Sequence, residues 1–147
     1  MMICSLLLLA AACQKNNNNS PYPQISLKGF APDSVKSGLF SDTSFIQISF
    51  FDGDADLTTS SMVKVVDSRS TSDTINLPFP AVDPALLDPT IGEEGTCFIK
   101  IEAAILKIRT DSVHNGKGDT LKFTLHVIDA AGHESNRVTT PNLYIRP

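Results

Sequence analysis

The chain has no tryptophan and only two tyrosines, Tyr22 and Tyr144, among its 147 residues. Sugar-binding faces usually stack on exposed aromatic rings, so a carbohydrate-binding surface has little to build on. Positive charge is also in short supply, because twelve Lys and Arg against sixteen Asp and Glu leave a net charge of −4. Without a basic stripe for phosphate backbones, nucleic acid is not expected as a partner. Glycine-rich phosphate loops and zinc-spaced cysteine sets are missing too, which removes the commonest nucleotide and structural-zinc readings. Only three cysteines occur, Cys4, Cys13 and Cys97.

What is present begins with an address. Residues 3–12, ICSLLLLAAA, are almost all apolar or small. That length suits the core of a signal peptide and is about half of what a membrane-spanning helix needs. The small residues Ala10, Ala11 and Ala12 lead directly into Cys13, and this resembles the lipobox of bacterial lipoproteins, in which the cysteine is lipidated and becomes the mature N-terminus. Cleavage as an ordinary signal peptide near Ala12 is the alternative. The expected organisation is therefore a lipoprotein signal peptide over 1–12, a flexible tether over 13–23, rich in Asn and ending in prolines, and one folded domain over 24–147. Cys4 then leaves with the signal and Cys13 carries lipid, so Cys97 is the remaining thiol and no intrachain disulfide forms in the domain. Cys97 shares its phase with Ile99, Ile101, Ala103 and Ile105, which predicts a buried and unreactive thiol.

Past the tether the pattern is one of short strands with period-two alternation, predicted at 24–30, 43–51, 61–67, 96–109, 119–129 and 137–146, with a weaker one at 74–77. Ile46, Ile48 and Phe50 form one face of the second, as a central strand with one side mostly buried requires. Residues 78–94 hold Pro78, Pro80, Pro84 and Pro89, which remove ladder donors, so this segment is expected to be loop. About seven short strands with turns between them predict a single all-β domain, a two-sheet sandwich of immunoglobulin or fibronectin type III kind. A jelly roll or small barrel is the alternative.

One dense polar motif stands out. In residues 50–57, FFDGDADL, Asp52, Asp54 and Asp56 alternate directly after a strand. Calcium takes six to eight oxygen ligands, and carboxylates two residues apart in a curled loop can converge on one ion. The EF-hand pattern does not apply, since Leu57 stands where its glycine belongs and Val63 where its closing glutamate belongs. In a sandwich, however, the loops after the second and sixth strands share one end, which brings Asp129 and the turn AAGHESN towards Asp52, Asp54 and Asp56. Four carboxylates held close repel one another unless a cation or protons offset them, which predicts a Ca²⁺ site formed by Asp52, Asp54, Asp56 and Asp129. An aspartate-rich turn bonding its own backbone amides and facing water is the competing expectation.

These residues also carry a resemblance. Phe50 with residues 52–57, then Asp129, Ala131, Gly132, Ser135 and Asn136, then Thr140 and Pro141, are similar to the F-x-DGDGDL and D-x-AG-x-x-SN motifs of small Bacteroidetes-type surface lipoproteins with immunoglobulin-like domains. Ala55 replaces the usual second glycine. The resemblance implies a lipid-anchored envelope protein and implies no particular biochemical activity.

No catalytic set emerges. His114 and His133 fall in turns and His126 points off the apolar face of its strand, so all three are expected to be solvated or turn residues without a partnered nucleophile. The leading functional expectation is a non-enzymatic cell-envelope lipoprotein, membrane-anchored, presenting loops to an unknown protein or glycan ligand. The alternative is an envelope hydrolase using the 78–94 loop, with Asp88, Glu93 and Glu94 as its acid and base groups.

Overall fold

The computed structural model describes residues 20–81 and 92–147. The expected leader, Cys13 with the tether as far as residue 19, and Asp88 lie outside the described residues.

The domain is all β. Strands β1 (Gln24–Ala31), β3 (Thr43–Asp52) and β6 (Glu93–Glu102) form one antiparallel sheet with β3 in the middle. The facing layer runs β5 (Ser70–Pro78), β4 (Met62–Asp67), β8 (Phe123–Ile128) and β9 (Val138–Thr139). A separate three-stranded ladder extends the same layer, β7 (Asp119–Leu121), β10 (Leu143–Arg146) and β2 (Ser34–Lys36), with β2 parallel to β10. β7 and β8 are one strand path broken at Lys122, and β9 and β10 are another broken over residues 140–142. Thr140 bridges the break: its N–H donates to the Phe123 carbonyl at 2.9 Å and its Oγ1 accepts from the Phe123 N–H at 3.0 Å.

The chain crosses to the facing layer for β2, returns for β3, crosses again after β3, returns after β5 and crosses once more after β6, and the ladders do not close into a barrel. This is a two-sheet sandwich with immunoglobulin-like connectivity, and the barrel alternative falls. Period-two alternation builds the core. Ile46, Ile48 and Phe50 of β3 face Val63 and Val65 of β4 and Leu125 and Val127 of β8 across one continuous buried cluster. Each such side chain contributes about 1.5–3 kcal/mol when it leaves water. Phe50 and Phe79 meet edge to face with ring centroids 5.2 Å apart. Cys97 lies in the same cluster, and burial pushes its thiol pKa up to about 11.

Several local expectations change. β2 lies inside a Pro-, Asp-, Ser- and Gly-rich stretch with no alternation of its own and exists because β10, at the far end of the chain, offers it a ladder. β5 begins at Ser70, ahead of the predicted start at Thr74, because beyond a register shift after Val66 the ladder resumes with Asp67 paired to Ser70. The predicted strand over 96–109 begins at Glu93 and stops at Glu102, where a 3₁₀ turn, Ala103–Ile105, replaces period two by period three. Ile105 is accordingly 51% exposed, out of phase with Cys97, and Leu106 is 2% exposed in its place. Pro78 closes β5, while Glu93 and Glu94 open β6, so both ends of the expected 78–94 loop are strand. At the tether's end Pro23 is buried and the Tyr22 ring lies 5.0 Å from that of His133.

A candidate cation site

The end of β3 and the end of β8 point to the same pole of the sandwich. Asp52 is the last residue of β3, Asp54 and Asp56 follow in the crossover to β4, and Asp129 follows β8 directly. One ligand oxygen from each of the four lies within 4.8 Å of the others, so this cluster can hold a metal ion. Two oxygens bound to one calcium at 2.3–2.6 Å lie at most about 5 Å apart, so these separations are compatible with sharing one ion.

The loop is wrapped by its own carboxylates. The Asp56 N–H donates to Asp52 Oδ2 at 3.0 Å, and Ala55 between them takes a positive φ of 56°, a conformation that favours glycine. Asp56 Oδ2 accepts the Ala131 N–H at 3.0 Å, which ties the crossover of one sheet to the hairpin of the other. Asp129 holds its own turn: Oδ1 accepts the His133 N–H at 2.7 Å and Oδ2 meets His133 Nδ1 at 3.0 Å. The competing expectation of an Asx-type turn is thus part of the structure, but it uses only some of the oxygens.

A fifth carboxylate lies beside them, outside the four whose oxygens all lie within 4.8 Å of one another. Glu93 is paired with Asp52 across the β3–β6 ladder and is only 2% exposed. Its Oε1 accepts the Leu57 N–H at 2.9 Å. Nothing in the neighbouring residues signals this, since Glu93 follows a proline-rich stretch and reaches Asp52 only through strand register. Gly92 makes the approach possible: at φ +78° a Cβ there would fall 2.5 Å from the Asp52 carbonyl oxygen.

The electrostatics are strained in one direction. Burial pushes the Asp52 carboxyl up to about 7, opposed by the Asp56 N–H and reinforced by Asp54, Asp56 and Glu93. Burial likewise raises Asp56, with Asp129 and Asp54 adding to it, and raises Glu93, with Asp56 and Asp54 adding to it. Among the described residues no Lys or Arg forms an ion pair with Asp52, Asp54, Asp56 or Glu93. Buried carboxylates without a countercharge favour either protons or a cation.

The remaining polar candidates are engaged in other pairings. At the opposite pole Asp119 is buried and held by Arg69 at 2.8 Å and by Arg109 at 2.9 and 3.0 Å. His114 bonds Asp111 at 2.7 Å beside this network. His126, expected to be solvated, is 6% exposed, and burial lowers its pKa. It lies under Glu134, whose carboxylate is 3.7 Å from Nε2. The three histidines stand apart, and each keeps a different carboxylate neighbour.

Fold and site together define an all-β sandwich with a polar carboxylate cluster suited to a cation. No protein-family model, curated protein or solved structure matches the chain. Function is therefore argued from the chemistry of this pole.

Proposed function

We propose that the chain is a non-enzymatic cell-envelope lipoprotein, a binding or accessory module whose loops are stiffened by Ca²⁺. Lipid on Cys13 holds it to a membrane, the Asn-rich segment provides reach, and the rigid sandwich presents one pole to a protein or glycan. The observation that carries the calcium part is the convergence of Asp52, Asp54, Asp56 and Asp129 with their ligand oxygens within 4.8 Å. An all-oxygen donor set selects hard cations, and a loop of aspartates without a dedicated bidentate closing residue suits a weak extracellular calcium site, with Kd on the order of 10⁻⁴ to 10⁻³ M. The envelope address rests on the residues before Cys13 and on the resemblance to Bacteroidetes-type surface lipoproteins.

Two measurements test this. Melting of the purified chain with calcium or with chelator should differ, because a ligand at a hundredfold excess over its Kd adds about 2.7 kcal/mol. The difference should vanish in Asp54→Ala. An unchanged melting temperature at millimolar calcium removes the metal from the proposal. Fractionation of cells carrying Cys13→Ser should move the protein from membrane to soluble fractions, and identical distributions would overturn the lipid anchor.

A further inference from the structure

Five buried side-chain atoms among the described residues lack a hydrogen-bond partner, and four of them are carboxylate oxygens at this one pole: Asp52 Oδ1, Asp54 Oδ1, Asp56 Oδ1 and Glu93 Oε2. The fifth, His126 Nε2, belongs to the contact with Glu134. Buried polar atoms are normally satisfied, and leaving an ionised oxygen without a donor is costly, so four together require a shared explanation. Asp129 differs from them, since His133 occupies both of its oxygens.

We infer that Glu93 is itself a ligand of the cation site, so that the ion is gripped by β6 as well as by the β3–β4 crossover and the end of β8. This rests on the calcium reading above and extends it to a residue outside the four aspartates. Asp52 is 0% and Glu93 2% exposed, so neither free oxygen has water as an easy alternative. The Leu57 N–H fixes one Glu93 oxygen at 2.9 Å, which draws the carboxylate to the aspartate loop and leaves the other oxygen without a donor. With Glu93 included, ligands come from two strands of one sheet and from the other sheet's hairpin, and the ion pins the two layers together where the crossover leaves β3.

The test uses the full chain, Ca²⁺ as the probe, and the variants Glu93→Gln and Asp129→Asn. An amide oxygen can still accept the Leu57 N–H, so the loop bond survives in Glu93→Gln while the anionic oxygen is lost. Calcium affinity by calorimetry should fall about tenfold or more in Glu93→Gln, and likewise in Asp129→Asn. Glu93→Gln should also melt higher than the parent in chelator, because a donorless buried anion has been removed; a purely structural role for Glu93 gives the opposite sign. Should Glu93→Gln fail to fold, the side-chain carboxyl ¹³C resonance of Glu93 in the parent protein decides, since it should shift on calcium addition together with that of Asp54. Parental affinity in Glu93→Gln, or an unmoved Glu93 resonance while Asp54 responds, overturns the assignment of Glu93 and leaves the calcium site standing. Absence of any calcium response in the parent overturns the underlying calcium reading instead.

Discussion

The Asn136 side chain takes both outward backbone hydrogen bonds of Ile25: its Oδ1 accepts the Ile25 N–H at 2.8 Å and its Nδ2 donates to the Ile25 carbonyl at 2.9 Å. β1 is an edge strand, and this amide satisfies its open edge by mimicking one residue of a neighbouring strand. Next to it, Ser135 Oγ accepts the Val127 N–H at 2.9 Å, so Ser135 and Asn136 together stitch the β8–β9 hairpin to both layers. Asn136→Ala should destabilise the domain by about 1–2 kcal/mol and speed exchange of the Ile25 amide. Unchanged exchange at Ile25 would show that the edge is protected by something else.

The opposite pole gives a pH prediction. Burial alone would raise the Asp119 pKa, but hydrogen bonds from Arg109, Arg69 and the Thr120 N–H outweigh it and hold the carboxyl well below the usual carboxylate range. A depressed folded-state pKa stabilises the charged form. Its contribution is complete above the unfolded value of about 3.9 and is lost progressively as pH falls below that. Asp119→Asn should therefore cost about 3 kcal/mol at neutral pH, as breaking a buried ion pair does. Denaturant titrations from about pH 6 down to about pH 2.5 should show the gap between parent and variant narrowing below about pH 4. A constant gap would mean that Asp119 carries no charge-dependent stability.

Cys97 supplies a kinetic prediction. With its pKa near 11 only about a thousandth of the thiol is ionised at about pH 8, and the side chain lies in the core. Labelling by a thiol reagent should be slow in the native protein and should accelerate greatly in denaturant. Fast native labelling would contradict the strand phase of β6.

Two glycines separate backbone strain from crowding. Gly38 and Gly92 have nearly equal positive φ, 76° and 78°, but a Cβ at Gly38 meets nothing within 4 Å, whereas one at Gly92 falls 2.5 Å from the Asp52 carbonyl oxygen. Gly38→Ala should cost about 1 kcal/mol from φ alone. Gly92→Ala should cost about 2 kcal/mol or more and should also reduce the calcium-dependent rise in melting temperature, since the Asp52 and Glu93 backbones must part. Equal effects of the two substitutions, in stability and in calcium response, would remove Gly92 from the architecture of the site.

The sequence by itself determined the all-β class, because period-two alternation in 43–51 and 119–129 leaves each strand one face to bury and admits no helix. It also determined that Asp52, Asp54, Asp56 and Asp129 share a pole, because in a sandwich the loops after the second and sixth predicted strands must emerge at one end. Local signals of this kind are carried by residues a few positions apart. Only the tertiary structure decided what depends on register between distant segments. β2 forms on a ladder supplied by β10, Ile105 turns outward where a 3₁₀ turn breaks the phase of β6, and Glu93 comes to lie beside the aspartate cluster because the β3–β6 register sets it opposite Asp52. A one-residue slip in that register would turn Glu93 to the other face of its strand, and no property of the residues around Glu93 in the chain records which register is adopted.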